Sequence, residues 1–343
     1  MAGRKTFRKI ITSEELINQI NPENIKLMER FLKNFATKRS PNSVVVYKSN
    51  LCIFFVWNLL ENDNRPFVKI KKLQMLDFFD YALSELRWSP NRFHQMHSCL
   101  SSFSDWIENY YDEVEGYENF RNIVKKIEKP SKEAVREKTV LKEDDINKIF
   151  AILEEEHKTQ EQCLLALAIS CGARVSELAR FSTSLIDEDN TVFDGLFLET
   201  TEKIRTKGAG VTGKMLRKYI LKDTFLTYYH KWLIERDNIL KETGQDHDFI
   251  FITKDGNPAN ADRLRDWMSD WGDIVNQPIY PHSLRHYQIS LLKRLGIDDD
   301  LIVYLTGWAE GTGHTMIAIY NDNELKDTKF ECLDNLKKFL GNN

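Results

Sequence analysis

Apolar residues return at helical spacing through the first third of the chain. Ile25, Met28, Phe31, Leu32 and Phe35 predict a helix over Pro22 to Asn34. Ser40-Pro41 pairs a capping hydroxyl with a proline suited to a first helical turn. The helix it opens carries Val44, Tyr47, Leu51, Phe54, Phe55 and Leu59. Asn62 to Pro66 reads as a turn, and Lys72 to Leu86 as a third helix. Ser89-Pro90 starts a fourth, running to about Tyr110. From Glu113 to Lys138 charge dominates, Pro130 interrupts, and large apolar residues are few, which predicts a linker.

A different pattern follows. Lys142 to Glu154 and Gln160 to Ser170 are predicted helices, the second almost wholly apolar on one face. Thr191 to Thr206 is rich in β-branched and aromatic residues and reads as strands. Lys207 to Gly213 is a glycine-rich hairpin turn, and Met215 to Leu221 the returning strand. Helix resumes over Asp223 to Glu242. Phe249 to Ile252 is a short strand, and Lys254-Asp255-Gly256 a turn. Further helices are expected near 260–272, 282–295, 298–306 and 313–320. The fold class is therefore mainly α, a helical first domain followed by a mixed α/β domain with one small antiparallel sheet. The boundaries are a basic arm at 1–20, a helical unit at 21–112, a basic linker at 113–138, a second domain at 139–325 and a tail helix at 326–343. In that tail Phe330, Leu333, Leu336, Phe339 and Leu340 keep helical spacing.

Bulk properties narrow the choice of function. The 343 residues are 42% hydrophobic and 29% charged, which suits two soluble globular domains. The longest apolar run, Leu51 to Leu60, is too short to span a bilayer and reads as a core helix. The basic first residues lack a signal-peptide core, so a cytoplasmic protein without a membrane partner is expected. Cys52, Cys99, Cys163, Cys171 and Cys332 are scattered, without metal-ligand spacing, and read as buried free thiols. The net charge of −4 argues against a nonspecific coat on DNA. Its distribution is more telling: basic clusters lie at Arg4 to Lys9, Lys125 to Lys138 and Lys203 to Lys222. Each could be a solvated face; three of them bordering one candidate site point toward DNA.

The candidate chemistry sits in three separated boxes. Gly172-Ala173-Arg174 marks a break between two helices, where an arginine can point its fork away from the core; the bland alternative is a surface arginine paired with Glu177. Pro281-His282-Ser283-Leu284-Arg285-His286-Tyr287 puts His282 and Arg285 three apart on one helix face; His286 reads as packing under the helix. Gly307-Trp308 precedes Tyr320, the only tyrosine after Trp308. Guanidinium groups are planar and permanently charged, so two of them suit the nonbridging oxygens of a phosphodiester. A phenol can serve as nucleophile and a histidine as proton shuttle. Lys207 lies in the turn between the arginines, with Lys203 and Lys214 as the competing cations of that segment.

The order and context of these boxes resemble the tyrosine recombinase (phage integrase) family, strongly over 140–325. The resemblance implies a helical, SAM-like core-binding domain ahead of the catalytic domain. It also implies a catalytic set of Arg174, Lys207, His282, Arg285, Trp308 and Tyr320, with Glu177 bracing the first arginine. Tyr320 would attack phosphorus to give a 3′-phosphotyrosyl link, Lys207 would protonate the 5′ oxygen, and neither metal nor cofactor would be needed. The implied partner is double-stranded DNA, with self-association on it as dimer or tetramer through the C-terminal tail. One spacing departs from the family, where about nine residues separate the histidine or tryptophan from the tyrosine. Trp308 to Tyr320 is twelve, and Gly311-Thr312-Gly313 reads as an inserted flexible turn. Two other functions fit the same scaffold, a phage-repressor-type regulator without strand transfer and a relaxing topoisomerase. The complete set of site residues favours the recombinase.

Overall fold

The computed structural model describes residues 12–131, 139–206, 213–308 and 310–321. These form two compact units, the first holding residues 12–131 and the second beginning at Thr139.

The first unit is helical. Its elements are α1 (Glu14–Asn18), α2 (Pro22–Ala36), α3 (Pro41–Glu61), α4 (Lys72–Ser84) and α5 (Pro90–Tyr110). The caps anticipated at Ser40 and Ser89 are formed, each hydroxyl accepting an amide from the first turn, with proline leading the helix. Helix α1 goes beyond the predicted elements; Ile20 just after it is buried, so residues 13–20 belong to this unit and not to a free arm. Residues 1–11 of the predicted arm lie outside the described residues. At 21 residues, α3 is long and apolar enough to cross a membrane by composition, but Leu51, Phe54, Phe55 and Trp57 bury one side of it in the core. Phe54, Phe67, Phe78 and Phe103 meet edge-to-face in that core.

The turn after α3 is held by buried amides. Asn24 Nδ2 and Asn58 Nδ2 each donate to the Arg65 carbonyl at 2.9 Å, and Asn24 Oδ1 accepts the Phe67 amide at 2.7 Å. Asp63 and Asn64 take left-handed backbone there, which these residue types tolerate better than most.

The predicted linker is corrected in part. Phe120, Val124 and Ile127 are buried in the first core, so the chain to about residue 130 is folded onto that unit in irregular turns. Asn122 clips it down. Its Nδ2 donates to Ser101 and to Asp105 Oδ1, and its Oδ1 accepts the amides of Val124 and Lys125. The charged residues between these apolar positions hide a segment with a buried side. Residues 132–138 lie outside the described residues.

The second unit begins with α6 (Glu143–Glu155) and α7 (Thr159–Cys171), followed by the short α8 (Val175–Leu178). Helix α7 is buried on all sides from Gln162 onward and forms the centre of the core. Strands β1 (Thr191–Val192), β2 (Phe197–Glu199), β3 (Ile204–Thr206), β4 (Lys214–Leu216) and β5 (Tyr219–Leu221) follow. They make two antiparallel sheets, β1-β2-β5 and β3-β4, where one was expected. The single returning strand is split at Arg217-Lys218. There the Thr200 hydroxyl takes the Lys218 amide at 3.0 Å, and the Thr200 carbonyl takes Arg217 Nη1 at 2.6 Å. Side chains thus replace part of the backbone ladder.

Among the described residues the unit is completed by α9 (Lys222–Thr243), α10 (Ala261–Val275), α11 (Pro281–Arg294), α12 (Asp299–Thr306) and α13 (Glu310–Tyr320). Phe249 to Ile252 is not a strand. Only single bridges form at its ends, Ser182 with Phe249 and Ile252 with Pro258. The Ile250 amide instead bonds Phe181, and its carbonyl accepts the Trp232 indole. Two apolar clusters set the site. One surrounds α7. The other joins Phe197 and Tyr219 to Ile289, Leu292, Val303 and Ile317, and so ties α12 and α13 to α11.

Candidate active site

Arg174 stands where the sequence breaks helix. Gly172 ends α7 in left-handed backbone, φ +53°, and Arg174 is the residue before α8. A Cβ at Gly172 would fall 2.0 Å from Gln288 Oε1, so a side chain here would displace that amide as well as strain the left-handed backbone. The Gly172 carbonyl accepts Arg285 Nη1 at 2.5 Å, which locks the second arginine box to a point two residues before the first arginine. Arg285 is 1% exposed; Arg174 keeps 29% of its side chain open.

Glu177 is the hub of this corner. It is fully buried, and its carboxylate accepts Arg174 Nη1 at 2.9 Å, the Arg174 amide at 3.1 Å and Lys218 Nζ at 2.7 Å. Burial works against its charge, but Lys218 foremost and then Arg174 outweigh it and hold the carboxyl below its ordinary range. The expected brace on Arg174 is thus present as two hydrogen bonds. Sequence reasoning misses Lys218. Nothing local marks it among the cations of the segment 203–222; only the fold turns it inward, to 2% exposure.

Trp308 follows Gly307, which caps α12 in left-handed backbone. Its ring lies over the Arg285 guanidinium at 4.9 Å, a cation–π contact that joins the second and third boxes. His282 is exposed on the first turn of α11, one turn before buried Arg285, and His286 is half-buried. The backbone of Tyr320 closes α13; its side chain, like the whole of Lys207, lies outside the described residues. The tail predicted at 326–343 lies outside them as well.

The inserted turn is corrected. Helix α13 starts at Glu310, so Gly311-Thr312-Gly313 is helical. Gly313 is buried against α12, where an added Cβ would sit 2.3 Å from Val303 Cγ2. The glycine is needed for close helix packing rather than for flexibility. Tyr320 therefore follows Trp308 by twelve positions, mostly as helix, three more than the usual nine. At about 1.5 Å per residue that is close to one extra turn.

No group of three or more histidine, cysteine or acidic side chains gathers to hold a metal among the described residues. What the structure brings together here is the Arg174 segment, the Arg285 guanidinium and the Trp308 indole, groups of the kind that can stabilise an oxyanion.

Comparison with known proteins identifies the family. The model of the phage integrase family matches residues 139–326, more than half of the chain, and the protein belongs to that family. Over 324 residues it is 24% identical to tyrosine recombinase XerC of Caldanaerobacter subterraneus subsp. tengcongensis, covering 88% of this chain and 85% of that protein. Among solved structures it shares its fold with the XerH site-specific recombinase bound to palindromic difH substrate. That match has a TM-score of 0.66 at 14% identity and covers 94% of this chain and 98% of the other. The Tn1549 transposon integrase in complex with transposon right-end DNA matches at a TM-score of 0.64 and 12% identity, over 92% and 99%. A lambda integrase tetramer bound to a Holliday junction matches at 0.63 and 16%, over 87% and 77%. The regulator reading finds no support among these relatives.

Proposed function

We propose that the protein is a site-specific tyrosine recombinase that cleaves and rejoins double-stranded DNA. The observation that carries this reading is the bond from Arg285 to the Gly172 carbonyl. It draws the two arginine boxes together although they are more than a hundred residues apart in the chain. Arg174 and Arg285 clamp the nonbridging oxygens of the scissile phosphate. Trp308 and His282 flank them as further donors. The Tyr320 phenol oxygen attacks phosphorus, a P–O bond to tyrosine forms, and the bond to the 5′ oxygen breaks. The phenol proton leaves through His282, and Lys207 supplies a proton to the departing 5′ oxygen, which leaves as a hydroxyl. Charge balance and bond count are conserved, so the reverse reaction rejoins the strand without an energy source.

The catalytic unit acts on DNA together with the helical first unit, and the copies assemble on the site as a dimer or tetramer. Relatives solved on difH DNA, a transposon end and a Holliday junction support that reading. The test is a nicked cognate duplex that traps the covalent intermediate. Wild type should give a protein–DNA adduct stable to denaturant. Tyr320→Phe should abolish it with DNA affinity nearly unchanged, since one hydroxyl contributes only about 0.5–1.5 kcal/mol. Arg285→Ala should lower adduct formation far more than binding, because its charge matters most in the transition state. Specific DNA binding without any adduct from the wild type refutes the proposal.

A further inference from the structure

We infer that Lys218 is a positioning residue for Arg174, acting through Glu177 to leave the arginine a net positive charge for the phosphate. The inference rests on the strand-cleavage reading above for its consequence, but its physical basis is independent of it. Three charges meet at one buried point. Lys218 Nζ and Arg174 both bond the Glu177 carboxylate, at 2.7 and 2.9 Å. Two cations and one anion sum to one positive charge. Lys218 is buried, with its ammonium held on the Glu177 carboxylate. Arg174 is the partly open member, with 29% of its side chain exposed, so the surplus charge is presented there.

Without Lys218, Glu177 has two ways to respond, and each harms Arg174. If it stays ionised, it cancels the guanidinium charge. If it takes up a proton, the charge-assisted brace weakens and the guanidinium loses its fixed direction. A buried carboxylate left with one partner in place of two is also destabilising. The other titratable groups around Glu177 are its own neighbour Arg174 and the Cys171 thiol at the end of α7. That thiol is pushed up to about 11 by burial, so it stays neutral and does not replace the lysine.

Lys218 reaches this point because its backbone is pinned. Its amide donates to the Thr200 hydroxyl at 3.0 Å, and its carbonyl accepts the Thr200 amide at 2.9 Å. This is the place where the two sheets part. The exchange of ladder bonds for side-chain bonds turns one lysine of a basic segment into the core.

The test uses the full chain as wild type, Lys218→Met and the double variant Lys218→Met with Glu177→Gln. In the double variant the anion is gone, the amide oxygen introduced by Glu177→Gln still accepts from Arg174, and one positive charge remains. Adduct formation on nicked cognate DNA should fall at least about tenfold in Lys218→Met, the effect of losing one charge-assisted contact in the transition state, with DNA affinity changed less than about threefold. The double variant should recover most of that loss. A packing role for Lys218 predicts no recovery, because the methionine is present in both variants.

The second measurement needs no DNA. In wild type the lowered carboxyl adds stability above its unfolded-state pKa, which is lost as pH falls through the lower folded value. Lys218→Met removes the foremost influence that lowers this carboxyl, so its folded value rises and less of that stability is present. The difference between the two proteins is therefore absent below both folded values and grows as pH rises through them. The gap in melting temperature between wild type and Lys218→Met should therefore widen from about pH 4 to about pH 8, and should narrow in the double variant. A gap independent of pH, with no rescue of either measurement by Glu177→Gln, overturns the inference. If the wild type forms no adduct, the strand-cleavage reading fails. The melting series then upholds or overturns the Lys218–Glu177 coupling by itself.

Discussion

Gly172→Ala is the sharpest probe of how the site is assembled. Two separate effects act at this position. The backbone is left-handed, φ +53°, a conformation that costs a residue with a Cβ about 1–2 kcal/mol. The new methyl would lie 2.0 Å from Gln288 Oε1 and 2.8 Å from Cδ. Gln288 is 1% exposed, and its Nε2 donates to the Ser170 carbonyl at 3.3 Å. Its amide is the end of a flexible side chain and can swing away, but that breaks the bond to Ser170, worth about 1 kcal/mol. The total is about 2–3 kcal/mol. For a unit of this size the melting temperature should drop by roughly 4–12 °C. Urea unfolding followed by tryptophan fluorescence gives the free energy directly. The double variant with Gln288→Ala removes the collision and leaves the backbone strain. It should be more stable than the sum of the single effects by about 1 kcal/mol. Because the Gly172 carbonyl also holds Arg285, adduct formation should fall in Gly172→Ala and partly return in the double variant. A Gly172→Ala protein within about 0.5 kcal/mol of wild type, the spread of neutral surface changes, refutes the argument. Strict additivity with Gln288→Ala refutes the steric half of it.

Asn122→Ala should release the segment that packs Phe120 and Val124 onto the first unit, at a loss of about 2–3 kcal/mol from its several hydrogen bonds. Limited proteolysis should then cut between residues 113 and 131 much faster than in wild type, and an unchanged rate refutes the clip. The Cys52, Cys99, Cys163 and Cys171 thiols are buried, and burial raises the pKa of each. They should stay unreactive toward a disulfide reagent at about pH 8 and react once urea unfolds the chain; fast labelling of Cys163 in the native protein contradicts the packing of α7.

Much of this molecule is legible from local pattern. Serine caps with following prolines locate α3 and α5, and helical spacing locates α2, because backbone geometry and amphipathic burial act over a few residues. The candidate boxes also rest on local signatures, a glycine two residues before Arg174 and a three-residue step from His282 to Arg285, and the fold joins the two segments through Gly172 and Arg285. What local pattern misses depends on distant partners. Phe120, Val124 and Ile127 look sparse among charges, and only the surface of the first unit makes them core. Gly311-Thr312-Gly313 has the composition of a turn, yet it is helical, and its last glycine packs closely on Val303 of α12. Phe249 to Ile252 has the composition of a strand, but its backbone finds partners in Phe181 and Trp232 instead of a sheet. Lys218 is one basic residue among many in sequence. Its inward turn, its bond to Glu177 and the surplus charge left at Arg174 follow from where two short sheets part company, and that is decided by long-range hydrogen bonding alone.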